Sequence, residues 1–149
     1  MNWWHVLGVL AGVVIGFVLT LVLGFVWAVG MVIYFTAKGL SAHQAATQLD
    51  FAHLTASMPC LLATLGMGAF ALLVGGLIAG LIGGTGQVMT GLVTGIVSTV
   101  VSIPFCFLYP YPAWYDVACV VVTIGPAAMG GYLARVLASL RRVPLPATS

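Results

Sequence analysis

WWHVLGVLAGVVIGFVLTLVLGFVWAVGMVIYF, residues 3–35, contains no Lys, Arg, Asp or Glu. About 20 residues at 1.5 Å each cross a hydrocarbon core about 30 Å thick, so this stretch is more than long enough to span a bilayer. Lipid offers no partner for backbone N–H and C=O groups, and a helix satisfies them within the segment. The run therefore reads as a membrane-spanning helix. Its excess length predicts tilt, or projection into the headgroups. Trp3, Trp4 and His5 at one end and Tyr34 and Phe35 at the other suit the interface. A cleaved signal peptide would have a basic start and an apolar part of roughly 7–15 residues, and this stretch has neither.

Three further apolar stretches follow, at about Met58–Ile82, Val88–Tyr109 and Tyr115–Leu140. Over 149 residues the chain is 62% hydrophobic and 4% charged, with a mean hydropathy of +1.23. A soluble domain carries about 25% charged residues because its surface faces water, which this composition excludes. Runs such as Val13-Val14-Ile15 and Val120-Val121-Val122 lack the alternating polarity of a β-barrel strand. The expectation is an all-α polytopic membrane protein, one domain over 1–149, with four spans at about 3–35, 58–82, 88–109 and 115–140. The net charge of +2 is too small and scattered for a nucleic-acid interface.

Orientation rests on few charges. Arg141 and Arg142 follow the last span, and Arg135 lies near enough to its end to snorkel outward. The loop Pro110-Tyr111-Pro112-Ala113-Trp114-Tyr115-Asp116 has an acid and no base. The positive-inside rule then puts both termini in the cytoplasm, segment 36–57 outside and the Gly83–Gln87 turn inside. Lys38 falls outside and dissents.

The outer segment holds Ser41 and Gln44 in the spacing of a capping box, after a Gly39 suited to ending the preceding helix. Ala42, Ala45, Ala46, Leu49 and Ala52 recur at helical spacing, opposite His43, Thr47 and Asp50. This predicts a short amphipathic helix over about 42–53, lying on the membrane or serving as an ordinary connector.

Glycines supply the packing signal. Gly8, Gly12 and Gly16 form one series at four-residue spacing, with Gly24 in register. Gly76, Gly80 and Gly84 form a second, and Gly91 and Gly95 a third. In lipid, faces of small residues let backbones approach and associate. Such faces serve contacts within the chain, or contacts with a partner or second copy. Pro104 and Pro126 lie inside spans and free the carbonyls of Val100 and Val122. Two readings stand for them, a hinge and a static bend whose freed carbonyls are taken by Thr99, Ser102 and Thr123.

Chemistry is sparse. No Asp, Glu, Lys or His falls near the middle of a span, and no carboxylate pair, metalloprotease motif or phosphate loop is present. No cofactor is expected. Cys60, Cys106 and Cys119 fall toward the outer leaflet, where Cys106 and Cys119 are placed to form a disulfide across the hairpin or to remain apolar thiols. His43, Asp50, His53 and Cys60, with Met58, Cys106 and Cys119 toward the same leaflet, would suit a soft metal such as Cu(I), but no C-x-x-C is present.

Tyr34-Phe35-Thr36, Ser41, Gly75-Gly76-Leu77-Ile78-Ala79-Gly80 and Gly91-Leu92-Val93-Thr94-Gly95 together resemble the small bacterial membrane proteins typified by YrzE. The resemblance covers about the first two thirds of the chain. It implies a four-span membrane protein and no activity; the location expected is the bacterial inner (plasma) membrane. The functional expectation is a non-enzymatic helix-packing subunit or assembly partner of a larger membrane complex. The alternative is a small homo-oligomeric channel or transporter. The partners expected are the lipid bilayer and either another membrane protein or a second copy.

Overall fold

The computed structural model describes residues 3–41, 43, 44, 57–84, 86–108 and 111–140, with the backbone alone for 105–108. Among these residues there is no strand, and the chain forms four helices: α1 Trp3–Ala37, α2 Met58–Gly83, α3 Gln87–Leu108 and α4 Ala113–Leu140. All four are long and apolar enough to cross a membrane. Most of the large apolar side chains point outward: Phe25 is 72% exposed, Val117 66% and Val121 65%. The packed interior consists mainly of glycine, alanine and threonine. Small residues inside and large apolar residues outside are what a helical protein solvated by hydrocarbon requires.

The helices run up and down. α2 packs against α1 on one side and α4 on the other, α3 packs against α4 and α2, and α1 touches α3 along part of its length. α2 and α3 thus form the short diagonal of a rhombus, with α1 and α4 at its far corners. One end of the bundle carries the start of α1 and the Gly84 turn. The other carries the end of α1, the start of α2 and Tyr111.

Local chemistry sets the helix ends. Gly39 adopts φ +89°, which a residue with a Cβ rarely tolerates. Its N–H donates to the Thr36 carbonyl and that of Leu40 to the Phe35 carbonyl, which closes α1 with a Schellman motif. The expected capping box then forms. Ser41 N–H donates to Gln44 Oε1 at 3.0 Å, and Gln44 N–H donates to Ser41 Oγ at 3.3 Å. Apart from His43 and Gln44, the outer helix expected over 42–53 lies outside the described residues, Asp50 and His53 included.

Three sequence expectations need correction. Residues 113–116 are not loop: α4 begins at Ala113, and Tyr115 N–H already donates to the Pro112 carbonyl at 2.8 Å. Pro112 sits just before the first helical residue, where its missing N–H costs no helical hydrogen bond. Asp116 is therefore a residue of the first helical turn. Gly84 does not pack. It is the C-cap of α2 at φ +67°, and a Cβ added there would meet nothing within 4 Å. Finally, the hydroxyls near the prolines do not take the freed carbonyls. Thr99 donates to Gly95, Ser102 to Ser98 and Thr123 to Cys119. Each hydroxyl has one proton, already used on its own helix.

Candidate functional site

The site follows from how α1 meets α2 and then leaves it. α2 carries two small-residue faces one residue apart, about 100° around the helix. Ala71, Gly75 and Ala79 face α1, Gly76 and Gly80 face α4, and a Cβ added at Gly83 would meet Thr90 of α3 at 2.8 Å. On α1, a Cβ added at Gly8 would lie 2.7 Å from the Ala79 carbonyl oxygen. At Gly12 it would lie 2.6 Å from the Gly75 oxygen and 3.1 Å from Thr94 Cγ2, so α1, α2 and α3 meet there. At Gly16 the gap opens to 3.6 Å, and at Gly24 nothing lies within 4 Å.

The remaining glycines of the expected series are used against α4. An added Cβ at Gly76 would run into the Ala127 backbone, and at Gly80 it would lie 2.7 Å from Ala134 Cβ. Gly91 abuts Ala127 and Gly131, and Gly95 would place a Cβ 2.9 Å from Ile124 Cα. Sequence reading missed the α4 side of these contacts. Ala127, Gly130, Gly131 and Ala134 are all buried. Their signal was present as small residues four apart, Ala127 with Gly131 and Gly130 with Ala134, hidden because alanine stands in for half of the glycines.

Beyond Gly16 the helices part around a cavity of about 340 Å³, to which all four helices contribute. Val13, Phe17 and Thr20 come from α1, and Thr64, Leu65 and Gly68 from α2. Ser98 and Ser102 come from α3, and Tyr115, Asp116, Cys119 and Thr123 from α4. Tyr111 closes the end, its ring 4.8 Å from that of Tyr115, which is itself buried. That volume lies within the range of small-molecule sites.

The polar groups of the cavity are unusual in kind. Thr20 donates to Gly16, Thr64 to Cys60 and Thr123 to Cys119, so these hydroxyls offer acceptor lone pairs. Asp116 Oδ1 is buried without a hydrogen-bond partner. A buried polar atom left unsatisfied costs about 1–3 kcal/mol. Sequence reading placed Asp116 in a loop and so missed it.

A second hollow, at the Gly84 end, involves Gly86, Gln87 and Arg135. There His5 Nδ1 lies 3.3 Å from Thr90 Oγ1, tying the start of α1 to α3.

The other candidate residues are dispersed. His43 is exposed beside the capping box, and Cys60 lies at the start of α2. Among the described residues no three of His, Cys, Asp or Glu gather as metal ligands. The side chain of Cys106 lies outside the described residues, as do Arg141 and Arg142.

No family model matches the chain, and neither a curated protein nor a solved structure is significantly similar to it.

Proposed function

We propose that the protein is a non-enzymatic integral membrane protein that acts as a helix-packing subunit or assembly partner of a larger membrane complex. The second half of α1 carries this reading. The buried residues of α1 are Gly8, Gly12 and Gly16, all in its first half, whereas Leu21, Val22, Phe25, Val26, Val29 and Ile33 are exposed. At 1.5 Å per residue α1 is about 52 Å long and α2 about 39 Å. Since α1 meets α2 near its own start, the surplus projects at the Tyr111 end. A long apolar half-helix with most of its large side chains exposed is a surface on which another membrane helix can pack.

The glycine series contribute less to this reading than their spacing suggested, because most are filled from within the chain. Gly24 and Gly30, with nothing within 4 Å, remain for a partner. A photo-crosslinking residue placed at Phe25 in cells is expected to yield one adduct of defined mass, with a second membrane protein or a second copy. The same residue at Met129, exposed on α4, serves as the control. Only uncross-linked monomer at Phe25 would overturn the proposal.

The cavity favours a second reading, a small channel or transporter, since all four helices line it. Flux of small solutes into liposomes carrying purified protein tests that reading, and its absence would end it.

For orientation we propose a bacterial inner membrane with both termini cytoplasmic. Arg135, exposed near the end of α4 at the Gly84 end, supports this together with Arg141 and Arg142.

A further inference from the structure

We propose that the cavity at the Tyr111 end binds a lipophilic amine, with its ammonium group donating to Asp116 Oδ1 and its hydrocarbon body lying against Val13, Phe17, Leu65 and Leu72. The inference does not depend on the subunit reading, which concerns the outer surface of α1.

Three observations point to this ligand class. The first is size: about 340 Å³ suits a compact organic molecule and is too small for a transmembrane helix of about 10 Å diameter. The second is the sense of the hydrogen bonding. The hydroxyls of Thr20, Thr64 and Thr123 have committed their protons to backbone carbonyls. What they present to the cavity is lone pairs, and Asp116 adds a buried carboxyl oxygen without a donor. A ligand rich in donors satisfies such a set, whereas an acceptor-rich or anionic ligand is repelled by it. The third is the wall beside Asp116. The Tyr111 and Tyr115 rings lie at one end of the cavity, and an aromatic face attracts an ammonium group. Much of the remaining lining is apolar, supplied by residues such as Val13, Leu72, Val101 and Val122, and it selects against small hydrated cations, which would have to shed water there.

A competing filling would come from this chain itself. Lys38 does not supply the donor: its ammonium lies 4.7 Å above the Tyr34 ring at the end of α1, away from the cavity.

The test is equilibrium binding to the full chain in nanodiscs, using three probes of one shape: 1-adamantylamine, 1-adamantanol and 1-adamantanecarboxylate. The amine is expected to bind saturably, one per chain, roughly tenfold or more tighter than the alcohol, because a hydrogen bond to a charged group is the stronger kind. The carboxylate is expected to bind more weakly than either. Asp116→Asn is expected to bring amine affinity down to that of the alcohol, with alcohol affinity unchanged. Gly68→Phe places a ring in the cavity from a position with nothing within 4 Å, and should abolish amine binding while leaving the glycine contacts near Gly12 intact.

Equal binding of amine and alcohol would overturn the proposal and mark the cavity as a crevice for a lipid chain or a partner's apolar side chain. Amine binding that survives both substitutions would also overturn it, since the amine would then be partitioning into lipid. If Asp116→Asn fails to fold, the probe series and Gly68→Phe decide the matter alone. Phe25 crosslinking is unaffected by any of these results, so the subunit reading stands or falls separately.

Discussion

Gly12 and Gly75 occupy each other's missing side-chain positions: a Cβ on either would lie 2.6 Å from the carbonyl oxygen of the other. This reciprocal fit marks the closest approach of α1 to α2. Backbone meets backbone there, so neither helix can yield by rotating a side chain. Gly12→Ala or Gly75→Ala is expected to destabilise the bundle by about 1–3 kcal/mol, the usual cost of overpacking. Gly24→Ala should change stability by less than about 1 kcal/mol, because its Cβ meets open space. Thermal unfolding in detergent, compared across the three variants, measures the difference. Equal losses at Gly12 and Gly24 would refute the tapering contact.

Asp116 is expected to limit stability. Removing a buried oxygen without a partner should gain about 1–3 kcal/mol. An acid in the first turn of α4 also favours the helix dipole, by about 0.3–1 kcal/mol, which the substitution gives up. The larger effect wins, so Asp116→Leu should raise the unfolding temperature. A lower temperature for Asp116→Leu would mean that Oδ1 has found a donor.

The end of α1 depends on a backbone angle. Gly39 at φ +89° permits the two hydrogen bonds that close the helix. Gly39→Ala is expected to cost about 1–2 kcal/mol through strain in the left-handed region. The loss should be local, appearing as faster hydrogen exchange at the amides of Gly39 and Leu40 with little change in global unfolding. Unchanged exchange at those amides would contradict the Schellman closure.

Orientation can be read from one position. Thr36 is exposed at the end of α1. In a background with the native cysteines replaced, Thr36→Cys should react with a membrane-impermeant maleimide added to intact cells. Protection until the cells are opened would invert the proposed topology.

The number of helices and their approximate extents were legible in the sequence, and so were the Gly39 stop and the Ser41–Gln44 box. Each depends on residues within a few positions of one another: hydropathy summed over a span, backbone bonds closed within the helix, a cap closed over three residues. The start of α4 was misread by two residues because Pro-Tyr-Pro and the aromatics after it look like loop. Grouping Asp116 with that loop hid its place, since a loop acid meets water whereas an acid in the first turn of α4 faces whatever the bundle puts there.

Taken alone, the sequence determined the solvent, the helical class and the local stops, because these follow from sums and short-range bonds along the chain. Glycines four apart announced that close contacts exist. Only the tertiary structure decided which faces meet: Gly75 and Ala79 against α1, Gly76 and Gly80 against α4. Any small-residue face fits any other, and the choice depends on all four helices packing at once. The cavity has the same origin. It opens where the approach of α1 to α2, closest at Gly12, has loosened at Gly16, and that crossing is a property of two helices together.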